Sequence, residues 1–136
     1  MERSFTSKIF GQDPLTRFLG QSGKFSRTNA KSWAFMPCFN KDKNRYETSV
    51  AQIRGFDEGQ IWNYGRNVMA VEVKARADFV GSDAFEFGLD IDPDNVPERH
   101  AAIIGWPDLK AAKEDAKDIA GELALASNLR FPPEKR

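Results

Sequence analysis

Apolar and charged residues alternate without a break over 71–79, VEVKARADF. Val71, Val73, Ala75, Ala77 and Phe79 take the odd positions, and Glu72, Lys74, Arg76 and Asp78 the even ones. In extended chain, side chains at every second position share a face. The segment is therefore a strand with one face in the core and one in water. Residues 84–91, AFEFGLDI, resume the alternation through Phe85, Phe87, Leu89 and Ile91. The connecting Gly81, Ser82 and Asp83 are turn formers, so the two runs predict an antiparallel hairpin. A wetted sheet face belongs to antiparallel rather than parallel sheets.

The period changes to three and four in two other places. Asp57 stands three residues before Gln60, ahead of Ile61 and Trp62. That is the capping-box pattern, and it predicts a helix over 58–69 with Ile61, Trp62, Gly65, Val68 and Met69 on its apolar face. Gly65 costs about 1 kcal/mol against alanine inside a helix, which points to close approach of a strand beneath it. The second helix spans 107–126, with Leu109, Ala112, Ala116, Ile119, Leu123 and Ala126 in a narrow stripe. Pro107 suits its first turn, and its alanines permit close docking on a sheet. Pro132 and Pro133 stop any continuation, and the tail PPEKR is expected to fray.

The remaining segments are less regular. HAAII at 100–104 and TSVAQIR at 48–54 read as short strands, the latter ended by Gly55. SWAFMPCF at 32–39 is apolar, and Pro37 makes it an edge strand ending near Met36. Residues 40–48 and 92–99 are polar loops. Residues 1–30 read as irregular chain wrapping the body, with short strands or a helical turn around Leu15 to Leu19. The whole, 1–136, is read as a single α+β domain. Its antiparallel sheet has about four or five strands, with two main helices packed on one face.

Composition adds limits. With 136 residues, 40% of them hydrophobic, the chain is large enough to hold a core without a disulfide or metal. Lysine plus arginine and aspartate plus glutamate each number 20, which argues against a non-specific nucleic-acid binder. The distribution is uneven. Residues 1–50 carry nine basic and four acidic side chains, a basic half able to face an acidic partner. Cys38 is the only cysteine, so no internal staple forms. It lies in an apolar run and reads as a buried thiol. There is no signal-like or membrane-spanning stretch, and a cytoplasmic setting is expected.

Four groups of residues can carry chemistry. His100 is the only histidine. It stands where a loop enters a strand, and Asp94 or Glu98 could orient it as a general base. Asp90, Asp92 and Asp94 alternate, so they share a face that needs a cation, a base or water. The full calcium-loop pattern fails at Asn95 and Ala101. Arg54, Arg66, Lys74 and Arg76 fall on adjacent predicted elements and could bind phosphate, with Tyr46, Tyr64 or Trp33 stacking. Trp106, between glycine and proline, suits an interface anchor or a plug at the sheet–helix junction, and so does Trp62.

No nucleotide loop, zinc-finger or serine-elbow signature is present, and no cofactor is implied. The expected function is a small binding or regulatory module acting through a protein partner or self-association. The alternatives are a small hydrolase using His100 with the acidic loop, or a weak nucleic-acid-binding module.

Overall fold

The capping box is formed as the sequence predicts. In the computed structural model, which describes residues 8–69 and 72–133, the Asp57 carboxylate accepts from the Gln60 N–H at 2.8 Å. The Gln60 side chain accepts from the Asp57 N–H at 2.9 Å. Helix α1 (Glu58–Asn67) follows, with Ile61, Trp62, Tyr64 and Gly65 buried. A Cβ on Gly65 would lie 2.6 Å from a ring carbon of Phe18. Glycine there lets the helix lie directly on the strand below.

That strand is β1 (Pro14–Leu19). The other strands are β2 (Cys38–Asn40), β3 (Arg45–Gln52), β4 (Ala75–Val80), β5 (Asp90–Asp92), β6 (His100–Ile104) and β7 (Asn128–Arg130). Among the described residues they form one seven-stranded sheet in the order β5-β6-β3-β1-β4-β7, with β2 paired to β3. Every pairing is antiparallel. The class is the expected α+β, with more strands than the four or five predicted. The extra ones are three-residue strands, too short to show a period.

The N-terminal region is more regular than its sequence suggests. β1 pairs with β4 from Pro14↔Val80 to Leu19↔Ala75 and with β3 at Leu15↔Gln52 and Thr16↔Ala51. It is therefore central, and Pro14 is tolerated as its first residue. Residues 1–7 of the predicted wrapping segment lie outside the described residues, as do Val71 of the alternating run and the last three residues of the tail.

Several expectations are corrected. The run 84–91 is not the partner strand of β4. Both neighbours of β4 are already taken, by β1 and β7. The chain turns instead into the short helix α2 (Gly81–Phe85), where the Asp83 carboxylate accepts from the Val80 N–H at 3.0 Å. Only Asp90–Asp92 becomes extended, and it pairs with β6.

The helices also occupy opposite faces. Leu15 and Leu19 of β1 pack with Val50, Ala77, Phe79, Ile103 and Leu123, under α3 (Leu109–Ala126). Phe18 and Ala51, of opposite parity in their strands, pack with Ile61, Trp62 and Tyr64 of α1. The even face of β4 is thus covered rather than wet.

Finally, SWAFMPCF is not an edge strand. Ser32–Ala34 is a 3-10 turn against α3, and Cys38–Asn40 starts a hairpin with β3. Lys41 to Asn44 turns that hairpin, with Asn44 at φ 52°. Cys38 is exposed rather than buried, because its strand lies at the margin of the sheet.

Candidate functional site

His100 opens β6, opposite Ala51 of β3. Its imidazole is nearly buried, and Nδ1 lies 2.6 Å from Oδ1 of Asp94. Of the two carboxylates expected to orient it, Asp94 does so. The loop that carries Asp94 is closed by backbone bonds from Asn95 N–H to the His100 carbonyl (2.9 Å) and from His100 N–H to the Pro97 carbonyl (2.9 Å). Arg99 adopts φ 76°, a costly conformation for a bulky residue. It is held there from several sides. Its N–H meets Oδ1 of Asn95 at 3.0 Å, its guanidinium meets the carbonyls of Gln52 and Arg54 at 3.1 and 2.9 Å, and it lies 3.6 Å over the Phe56 ring. Tyr64 of α1 donates its hydroxyl to the Glu98 carbonyl at 2.5 Å. Burial pushes that hydroxyl up to about 12, with Glu98 and Asp94 adding to the rise and Arg99 opposing it, so it stays a donor.

The acidic residues meet cations from a distant turn. Lys43 Nζ lies 3.2 Å from Asp94 and 3.9 Å from Asp92. Arg45 Nη2 lies 2.8 Å from Asp92 and 3.0 Å from Glu47. Asp90 is exposed and accepts from the Ile91 N–H at 2.8 Å. Among the described residues no group of three or more His, Cys, Asp or Glu side chains is arranged to hold a metal. The compensation that three acidic residues demand is supplied at Asp92 and Asp94 by Lys43 and Arg45. Lys43, Arg45 and Arg99 had no signal in the sequence. Arg99 belongs to the loop itself, whereas Lys43 and Arg45 reach it only because β3 and β6 pair in this register.

The electrostatics make a prediction about acid stability. Partial burial pushes the Asp94 carboxyl up, but the hydrogen bond and charge of His100, the Lys43 ammonium and the Val96 N–H together hold it below its ordinary value. A carboxyl depressed on folding adds stability above its unfolded pKa of about 3.9 and loses it as pH falls through the folded value. Asp94→Asn is therefore expected to lower stability at pH 7 by about 1–2 kcal/mol. It should also flatten the loss of stability below about pH 4. Urea titrations across that range check this, and an unchanged acid slope would refute it.

Arg76 does not belong to a phosphate platform. Its side chain is 1% exposed, lies 4.8 Å under the Trp62 ring, and is bonded to Asp78 (3.0 Å) and Glu58 (2.9 Å). The helix that covers this face removes it from any ligand. Arg66 and Lys74 are exposed, and Arg54 is half-buried. Of the stacking aromatics, Tyr64 is buried, and Tyr46 packs edge-on to Phe39 with centroids 5.1 Å apart.

The tryptophans are distributed differently from expectation. Trp106 is buried and donates Nε1–H to the Ile103 carbonyl at 3.1 Å, so it plugs the junction between β6 and α3. Trp62 is buried over Arg76. Neither can anchor a partner at the surface. Trp33 is 68% exposed. It lines a cleft of about 160 Å³ with Ser32, Met36, Lys113 and Lys117 and a second cleft of about 130 Å³ with Gln21, Gly23 and Lys24.

No family model, curated protein or solved structure matches this chain. The arrangement of its own residues therefore carries the functional reading. Among the described residues no helix is long and apolar enough to cross a membrane.

The His100 loop and the Trp33 clefts differ in kind. The first is a closed network in which the histidine, Asp92 and Asp94 all have partners. The second presents an aromatic ring to solvent between unfilled clefts. Cys38 cannot serve His100 as a nucleophile. Cys38 pairs with Glu47 and His100 with Ala51, on different neighbours of β3. Four residues of strand alone separate those positions by about 13 Å.

Proposed function

We propose that the chain is a small binding module acting through a protein partner, with Trp33 at the centre of its contact surface. The exposure of Trp33 between two clefts carries this reading. Tryptophan is among the side chains that dominate binding energy at protein interfaces, where it fills or borders pockets on the partner. Holding a large ring in water has no benefit to the fold. Leaving an apolar side chain of this size exposed forgoes roughly 1.5–3 kcal/mol of burial. A partner that covers it recovers that energy.

The ring is also presented rigidly. The turn that carries Trp33 is closed by bonds from Ala34 N–H to the Lys31 carbonyl (2.9 Å) and from Phe35 N–H to the Ser32 carbonyl (3.1 Å). Its neighbours Ala34 and Phe35 are fully buried. Little order is lost on docking, which favours affinity.

A photo-crosslinking amino acid in place of Trp33, expressed in the native host, tests the proposal. A discrete adduct with a protein is expected on irradiation, and none from the same amino acid in place of exposed Glu86. Absence of an adduct at position 33, with the protein present at its normal level, would overturn the reading.

A further inference from the structure

Three lysines and no carboxylate line the clefts beside Trp33. Lys43, Arg45 and Arg76 are each within 4 Å of a carboxylate. Among the described residues, Lys24, Lys113 and Lys117 make no such pair. Lys113 and Lys117 stand one helical turn apart on α3 and form the wall of the larger cleft, whose other side is Trp33 and Met36. Lys24 shares the second cleft with the indole.

Arg17 adds a further positive charge nearby. Among the described residues its guanidinium bonds the carbonyls of Ala34 (2.9 Å) and Ser49 (3.0 Å). Burial holds the Lys24 ammonium below its ordinary value, and the charge of Arg17 lowers it further. The group acting in the other direction is the Cys38 thiol, not a carboxylate. The clefts are thus lined by an aromatic ring and by positive charge, with no carboxylate in either lining.

We infer that this surface takes an acidic polypeptide segment, with one apolar or aromatic side chain in the Trp33–Met36 cleft and carboxylates on Lys113, Lys117 and Lys24. This rests on the reading of Trp33 as a partner-binding residue and names the chemistry of that partner. Two observations favour a peptide. The larger cleft, about 160 Å³, is smaller than the roughly 300–1,000 Å³ of small-molecule pockets and suits a single side chain. A continuous run of phosphates fits less well. Exposed Glu114, Asp115, Asp118 and Glu122 on the same helix confine the positive charge to the cleft margins, which have room for a few carboxylates and not for a long polyanion.

Fluorescence anisotropy with the full chain decides the matter. The probe is a fluorescein-labelled peptide with one phenylalanine flanked on both sides by glutamates. The controls are the same peptide with glutamines in their place, and oligothymidylate of equal charge. The glutamate peptide is expected to bind about tenfold more tightly than either control, a difference of the size two lost contacts make. Trp33→Ala and the double variant Lys113→Gln/Lys117→Gln should each weaken it about tenfold without changing the melting temperature. All the replaced side chains are at the surface, so the variants are expected to fold.

Equal binding of the glutamine peptide would overturn the inference, as would binding that survives Trp33→Ala. Tighter binding of oligothymidylate would replace it with single-stranded nucleic acid. Failure of the peptide alongside a protein adduct at position 33 overturns only the acidic chemistry. Absence of the adduct overturns the wider reading.

Discussion

Arg76→Ala is expected to lower the unfolding free energy by about 3–5 kcal/mol, the cost of removing one member of a buried ion pair. The guanidinium is 1% exposed. Burial opposes its charge, and the hydrogen bonds it donates to Glu58 and Asp78 outweigh that opposition. Alanine would leave a void beneath Trp62. It would leave Asp78 with Arg130 alone, at 3.5 Å. Arg76 Nη1 is buried without a partner; alanine removes that unsatisfied donor, which offsets a part of the loss.

The two acidic partners should behave differently. Glu58 is 65% exposed on its side chain, so Glu58→Gln is expected to cost under about 1 kcal/mol. Asp78→Asn weakens the neutralisation of a buried cation and should cost several times more. Chemical denaturation of the three variants checks the order. Equal effects of Glu58→Gln and Asp78→Asn would show that burial does not govern the cluster.

Phe35→Ala is expected to be of similar size, about 3–5 kcal/mol, as for other large-to-small changes in cores. Phe35 is fully buried and meets Phe79 edge-on, with centroids 5.6 Å apart. Its carbonyl accepts from the Thr48 hydroxyl at 2.8 Å, so one residue ties the 3-10 turn to both β3 and β4. Truncation would empty the space between the sheet and α3. Domains of this size have only about 5–15 kcal/mol of stability, and a melting temperature lower by roughly 10–20 °C is expected. Phe35→Leu keeps most of the volume and should cost about 1–2 kcal/mol. If Phe35→Ala melted within a few degrees of the parent, the turn would not be part of the core. The outcome bears on the proposed function, because Trp33 is presented by this turn. Phe35 should control stability and Trp33 binding, two residues apart in one turn.

The His100 loop illustrates how far side-chain types can be read without a fold. A histidine at the entry to a strand and three alternating aspartates were visible at once. Asp94 was one of two named orienting carboxylates, and it is the one in contact. Their closing partners were not visible. Lys43 in a turn and Arg45 at the start of β3 lie about fifty residues away, and only the antiparallel register of β3 and β6 brings them across. Once there, they pair with the acidic residues that a cation would otherwise have compensated.

Local interactions were determined by the sequence itself. The Asp57–Gln60 cap, the apolar face of α1, the close approach at Gly65, and the strands at 75–80 and 100–104 all depend on residues within one or two turns of each other. Short-range hydrogen bonds and side-chain periods suffice for them. The tertiary structure decided what each face meets. Alternation in VEVKARADF shows two faces but cannot say that a helix covers the charged one, and so Arg76 is buried. The same alternation in AFEFGLDI could not form a hairpin, because β1 and β7 occupy both sides of β4. Three tryptophans, similar on paper, are separated by packing: Trp62 under α1, Trp106 against Ile103, and Trp33 left in water. Exposure is a property of the neighbours, and most of those neighbours are remote in sequence. That is why the residue now placed at the centre of the proposed contact surface could be named beforehand only as one aromatic among several.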